Sequence, residues 1–215
     1  MTNVRPYKKT DREEVLHVCY KTGYFGEDAT PHFGDGILFG LIFASYYIDY
    51  EPENCFVAEA DGTAVGYIIG TPDTINQKGE YNRRIIPKVL KRMFSRTLVS
   101  HPRDVMFILG LRGYGRFEEE LYAGDLLEKY PAHLHINLLP EHQRGGLGGM
   151  LIDAFEGRMR EEGACGIHLV TTDQNRKAVP FYRKNGYEIV RELPNILWER
   201  KSKPGTKALV FAKRI

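Results

Sequence analysis

The sequence predicts an α/β fold (α+β in some schemes), and three stretches carry that expectation. The first is residues 133–149, HLHINLLPEHQRGGLGG, where an alternating run passes through Pro140 into a glycine-rich turn. Met150, Leu151, Ala154, Phe155 and Met159 follow at helical spacing, so the order is strand, turn, helix. The second is ACGIHLV, residues 164–170, a strand directly after that helix. Strand, helix, strand implies parallel pairing through a crossover. The third is NCFVAEA and TAVGYIIG on either side of Asp61-Gly62, a hairpin signal.

The remaining elements follow in order. Residues 3–9 read as an opening strand, and Thr10 with Glu13 fits a capping box that starts a helix at Asp11. Residues 21–35 are rich in Gly, Asp and Pro and read as a loop carrying Tyr24 and Phe25. Residues 37–48, ILFGLIFASYYI, are apolar nearly all round and predict one buried helix. Ile85, Ile86, Val89, Leu90, Met93 and Phe94 predict a helix over 84–99. Glu118 to Glu128 lie on a further helix ending near Lys129, and Pro131 closes the segment. After the second central strand come a loop at 171–175, a helix over 176–185, a strand at 187–191 and a last strand at 206–213.

A chain of 215 residues fits one domain, 1–215, with a helical insertion at about 73–130. The net charge of +2 gives no general cause to expect a nucleic-acid partner. Residues 78–103 are an exception, with eight Lys or Arg against the single acid Glu80. They read either as a solvated face or as a surface for an acidic partner. The acids at Glu118 to Glu128 nearly balance them, which favours a structural role. The opening residues lack the apolar segment of a signal peptide, and no stretch reaches the length of a membrane span. Cys19, Cys55 and Cys165 are widely spaced in apolar surroundings, which implies free, buried thiols and a cytoplasmic location.

The glycine turn is an anion site by its physics, since free N–H groups converge at the positive end of a helix. It lacks the Lys-Ser/Thr of a nucleotide-triphosphate loop and the spacing of a dinucleotide fingerprint. Gln143-Arg144-Gly145-Gly146-Leu147-Gly148 resembles the GCN5-related N-acetyltransferase (GNAT) superfamily. So do Asn175, Ala178, Phe181-Tyr182 and Asn185-Gly186-Tyr187, in the same order of elements. The motif region spans about 130–192, and residues 73–130 lie outside the usual core. His133 to Pro140 is similar, more narrowly, to the acetyltransferase-like domain of bacterial relatives of the O-GlcNAc hydrolase C-terminal region.

The resemblance implies the GNAT fold, a mixed sheet of about seven strands flanked by helices and splayed between the fourth and fifth. It implies acetyl-CoA as cofactor and no metal. Leu138, Leu139, Gln143, Arg144, Gly145, Gly146, Leu147, Gly148, Gly149, Asn175 and Tyr182 take cofactor-binding positions. Tyr182 also takes the place of the acid that protonates the departing thiolate. Asn175 reads equally as a helix cap. The family often uses a Glu on the central strand as base. Here His133, His135 and Asn137 form one stripe instead, with His135 the preferred base and His133 second. A buried histidine pair is the competing reading. His168 and Asp173 are neighbours that could support the site, while Tyr24, Phe25, Tyr46, Tyr47, Tyr114, Glu118 and Glu119 are acceptor-side candidates. The expected reaction is direct acetyl transfer to a primary amine on a small molecule or peptide. A catalytically silent acyl-CoA-binding module is the alternative. A homodimer is left open.

Overall fold

The computed structural model describes residues 2–110, 114–195 and 204–215, with residues 110 and 114 as backbone only. Strand β1 (Thr2–Pro6) leads through a 3-10 turn into α1 (Arg12–Thr22). The expected capping box does not form. The Asp11 carboxylate instead takes the Lys8 N–H at 2.8 Å and the Arg5 guanidinium at 2.7 and 2.9 Å. These bonds close the 3-10 turn, and α1 begins at Arg12 with no side-chain cap.

The apolar stretch after the loop makes two helices, α2 (Gly36–Phe43) and α3 (Ser45–Tyr50), where one was expected. Ser45 Oγ donates to the Gly40 carbonyl at 3.1 Å, which competes with the helical ladder at the break. Strands β2 (Phe56–Ala60) and β3 (Thr63–Thr71) form the expected hairpin, with Asp61 and Gly62 both at positive φ.

The chain then runs through α4 (Thr74–Arg84), α5 (Ile86–Arg92), a π turn (Met93–Thr97), α6 (Leu98–Ser100), α7 (Pro102–Gly110), α8 (Tyr114–Leu121) and α9 (Leu126–Lys129). The single helix expected over 84–99 is thus broken. Pro87 lacks the N–H that would continue α4. Thr97 turns its hydroxyl to Asp35 at 2.7 Å.

Five of the eight basic residues are tied into the fold. Arg83 and Arg84 hold Glu80, Lys78 holds Glu118 at 2.6 Å, Arg92 holds Asp35, and Lys88 donates to the Tyr50 hydroxyl. Lys78 with Glu118 is the expected link between the basic and acidic segments.

Strand β4 (Ala132–Leu138), α10 (Leu147–Glu161), β5 (Gly166–Thr172), α11 (Ala178–Lys184), β6 (Glu188–Pro194) and β7 (Lys207–Arg214) complete the chain. The sheet order is β1-β2-β3-β4-β5-β7-β6, and among the described residues only β4 and β5 pair in parallel. β7 inserts between β5 and β6, so β6 lies at the edge.

Each face of the sheet is covered. Leu134, Ile136 and Leu138 point to the α10 side, where they pack with Leu147, Leu151, Phe155 and Phe211. The other face carries α1 to α3 and α5 on the β2–β3 half, and residues of α8 and α9 over Val210 on the β7 half. The histidines of β4 and β5 lie at the seam between these two layers. Cys19 and Cys55 are buried as expected, but Cys165 is exposed, because it falls one residue before β5 begins. Among the described residues no helix is long and apolar enough to cross a membrane.

Candidate active site at the split of the sheet

Strands β4 and β5 pair only at Ala132–Ile167 and His133–His168 and then part. On its other side β4 stays paired with β3 from His133 to Leu138. The split therefore leaves one edge of β4 open from Leu134 onward, with backbone donors and acceptors that the sheet does not use. Close contact holds β4 in place there. A side chain at Gly70 would lie 2.1 Å from the His133 carbonyl oxygen and 2.5 Å from the Phe155 ring.

The open edge runs straight into the turn. Gln143 Nε2 donates to the Leu138 carbonyl at 3.0 Å, and Leu139 N–H donates to Val65 at 3.0 Å, so strand and turn are fastened together. Gly146 starts α10 at φ +88° with no side-chain cap, and Arg144 before it sits at φ +68°. The first ladder bond of α10 is Met150 N–H to the Gly146 carbonyl at 3.2 Å. The amides just before Met150 thus have no helical partner and face the positive end of a 15-residue helix. Around Gly145 and Gly146 an added Cβ would meet nothing within 4 Å, so the turn is open to a large anion. Gly148 differs, since a Cβ there would lie 2.9 Å from Phe181, which makes it a packing contact between α10 and α11.

Tyr182 is 7 % exposed and packs on Tyr187 and Phe211. Its hydroxyl has no partner among the described residues and is not among the sealed, unpartnered polar atoms. Burial pushes its phenol well up, so it keeps its proton at neutral pH. Asn175 Oδ1 accepts from Ala178 N–H at 3.2 Å, which is the capping role. Its amide also lies close to Gly26, next to Phe25 at φ +52°, so loops 23–35 and 173–177 meet there. Asp173 takes the Lys207 N–H at 3.1 Å and fixes the start of β7.

On the other face of β4 the expected polar stripe is present. Tyr47 Oη lies 2.7 Å from His133 Nε2 and 3.2 Å from His135 Nε2. His133 Nδ1 lies 2.8 Å from Thr74 Oγ1. Asn137 donates to the Tyr67 hydroxyl at 3.1 Å. His168 donates Nδ1–H to the Tyr130 carbonyl at 2.8 Å, and its ring stands 5.7 Å from that of His133.

Burial and the neighbouring imidazoles lower His133 well below its usual value, and burial lowers His168 to about 4. His135 is lowered to about 4 by the surrounding protein and by His168. Its side chain is nevertheless exposed to solvent, and water there softens the depression. All three rings are neutral at pH 7. Both nitrogens of His133 are engaged, whereas Nδ1 of His135 has no protein partner among the described residues.

The acceptor-side candidates divide. Tyr47 reaches the histidines directly, while Tyr46 turns to Glu51 at 2.8 Å. Tyr24 stacks on His32 and, with Phe25, packs against the α1–α3 core. Glu118 is held by Lys78 and Glu119 is exposed, and no described bond joins either to the histidines. The Tyr114 side chain lies outside the described residues. Thr74 was not singled out by sequence, because it reads only as the residue after the α4 cap Asp73. Its histidine is 59 positions away, and no local pattern signals that contact. A cavity of about 490 Å³ elsewhere is lined by Tyr46, Glu51, Asn54, Asp73 and Arg84, not by the residues of the turn.

A mixed seven-stranded sheet, split beside its parallel pair and opening onto an uncapped helix, defines the acyl-CoA N-acyltransferase class of fold. Residues 107–187 match the Acetyltransferase (GNAT) family. The crystal structure of a protein called SsHAT is 31% identical, with 99% of this chain and 98% of that chain covered at a TM-score of 0.78. The chain belongs to the GNAT acetyltransferase superfamily.

More distant structures share the fold. Ard1 from Thermoplasma volcanium is 17% identical, covering 100% of this chain and 97% of that one at a TM-score of 0.56. An agmatine N-acetyltransferase mutant in its apo form is 15% identical, covering 100% and 99% at 0.61. The uncharacterized N-acetyltransferase YjcF of Bacillus subtilis (strain 168) is 39% identical over 57 residues, which is 26% of this chain and 39% of that protein.

Proposed function

We propose that this chain transfers an acetyl group from acetyl-CoA to a primary amine, on a small molecule or a peptide, by direct attack in a ternary complex. One observation carries the proposal: the free edge of β4 runs without interruption into the uncapped N-terminus of α10. An extended pantetheine arm can pair with such an edge as an added strand would. The amides of residues 144–149 suit a pyrophosphate, with Arg144 adding charge. The donor set therefore fits coenzyme A. When bound, acetyl-CoA supplies the activated acetyl thioester.

The residues of the chain then divide the proton work. The ammonium first loses one proton to solvent, and His135 Nδ1 takes the second from the amine nitrogen as it attacks. A backbone N–H near Leu138 donates to the carbonyl oxygen as negative charge builds there. Tyr182 gives its phenolic proton to the departing sulfur. Starting from R–NH3+, the balance is amide, thiol and one proton released to solvent, and both side chains reset by exchange with water. The reading treats 1–215 as one domain with a helical insertion at about 73–130.

A second reading, an acyl-CoA-binding module without turnover, has one observation in its favour. The β4 stripe offers imidazoles and an amide but no carboxylate. Thiol release from acetyl-CoA across a panel of polyamines, aminoglycosides and lysine peptides separates the two. Turnover with any member supports transfer. Coenzyme A binding by calorimetry with no thiol release across the panel supports the module and removes the enzyme.

A further inference from the structure

The hydrogen bonds behind His135 run in one direction, and each proton can be placed. A carbonyl oxygen only accepts. Thr74 Oγ1 lies 2.6 Å from the Pro131 carbonyl oxygen, so the threonine proton points there. The threonine oxygen must then accept in its 2.8 Å contact with His133 Nδ1, which makes that nitrogen the N–H of His133. A neutral imidazole has one donor and one acceptor, so His133 Nε2 is a lone pair. Its partner at 2.7 Å, the Tyr47 hydroxyl, is the donor. With its proton committed, Tyr47 Oη can only accept in its 3.2 Å contact with His135 Nε2. Nε2 of His135 therefore carries the hydrogen.

We infer that Thr74, His133 and Tyr47 are positioning residues, a one-way relay anchored on the Pro131 carbonyl that locks His135 as its Nε2–H tautomer and keeps Nδ1 as a free lone pair. The inference rests on the proposed role of His135 as base. It explains why two histidines and a tyrosine are spent where one carboxylate would serve. An imidazole is a base only on its unprotonated nitrogen, so the tautomer decides which side of the ring can act. The relay ends in a carbonyl that cannot take up a proton, so it orients charge without carrying a proton away. The Thr74 amide also donates to Pro131 O, at 3.0 Å, which fixes the anchor independently of the hydroxyl. Burial keeps His133 neutral, which the alternation of donor and acceptor requires.

The test is tautomer assignment by long-range 1H–15N NMR on the histidine-labelled chain at pH 7.5, with resonances assigned by single His→Gln variants. The expected pattern is Nδ1–H for His133 and Nε2–H for His135. The first is the telling one, because imidazole in water favours Nε2–H. Thr74→Val removes the acceptor for His133 Nδ1–H. That proton is then expected on Nε2, facing the tyrosine oxygen. Tyr47 must turn its own proton to His135 Nε2, and His135 must move to Nδ1–H. A substitution that never touches His135 thus reverses its tautomer. Thr74→Ser keeps the hydroxyl and is expected to retain the original pattern, which separates relay loss from misfolding.

Adding Tyr47→Phe to Thr74→Val uncouples the two rings and is expected to return His135 to the Nε2–H form. Unchanged tautomers in Thr74→Val, or Nδ1–H on His135 in the parent chain, would overturn the inference. With a responsive amine in hand, Thr74→Val is expected to lower kcat by at least about tenfold, toward the loss typical of removing a general base. KM for acetyl-CoA should stay within about twofold. If the tautomers reverse and kcat does not fall, the relay stands and His135 is not the base.

Discussion

Replacing Gly146 by alanine or by glutamate separates the shape of the turn from its charge. Gly146 sits at φ +88° and ψ −17°, and an added Cβ meets nothing within 4 Å. Alanine therefore costs backbone strain alone, about 1–2 kcal/mol. For a chain of this size that corresponds to a fall in Tm of roughly 2–8 °C. Glutamate carries the same strain and adds a carboxylate where the free amides converge. At about 5 Å from a phosphate and an effective dielectric near 20, the repulsion is about 3 kcal/mol per charge pair. That is an affinity loss of more than about 100-fold.

The assay is calorimetric titration with coenzyme A beside a thermal melt of each variant. The expected result is a similar Tm decrease in both, with binding largely kept in Gly146→Ala and lost in Gly146→Glu. Normal coenzyme A affinity in a folded Gly146→Glu would place the pyrophosphate elsewhere and remove the basis of the proposed function.

Tyr182→Phe deletes a hydroxyl that has no protein partner among the described residues. We expect little change in Tm, KM for acetyl-CoA within about twofold, and kcat reduced by about 100-fold in steady-state assays. An unchanged kcat would dismiss Tyr182 as the acid. Gly70→Ala would put a methyl 2.1 Å from a backbone oxygen that cannot move without breaking β4, and should cost about 3 kcal/mol or more in denaturant unfolding. Asp35 is 4 % exposed, caps α2 through Leu38 N–H at 3.0 Å, and holds Arg92 and Thr97. Asp35→Ala strands the guanidinium and should cost about 3–5 kcal/mol, read from the same curves.

The buried histidines predict acid sensitivity. His168, 1 % exposed, is held at about 4 when folded, against about 6.5 unfolded. Between those values the unfolded chain binds the extra proton, so stability is full above pH 6.5 and falls as pH drops toward 4. The loss from this one group is about 3 kcal/mol at most. Urea midpoints at pH 7.5, 5.5 and 4.5 should decline, and less steeply in His168→Gln. An equal slope in that variant would refute the assignment.

Local signals carried the elements around the split. The Asp61-Gly62 hairpin, the strand at 132–138 and the long helix after the glycines each depend on near neighbours in the chain, through turn geometry, alternation and helical period. Where a distant partner intervened, local reading failed. The 84–99 helix broke where Thr97 bonds Asp35, 62 residues earlier. Cys165 fell outside β5 because pairing with β7 begins only at Gly166.

The site divides in the same way. The cradle at 143–149 is a property of backbone conformation, which a run of glycines before an amphipathic helix dictates without reference to the rest of the chain. The sequence alone therefore determined the fold class, the glycine turn with its free amides and the stripe of His133, His135 and Asn137, since two-residue alternation puts the last three on one face. Only the tertiary structure decided what those histidines can do. Tyr47 comes from α3, Thr74 from the start of α4, and His168 from the far side of the split. A hydrogen bond forms where packing brings two polar groups together, and that distance is not encoded by any spacing along the chain.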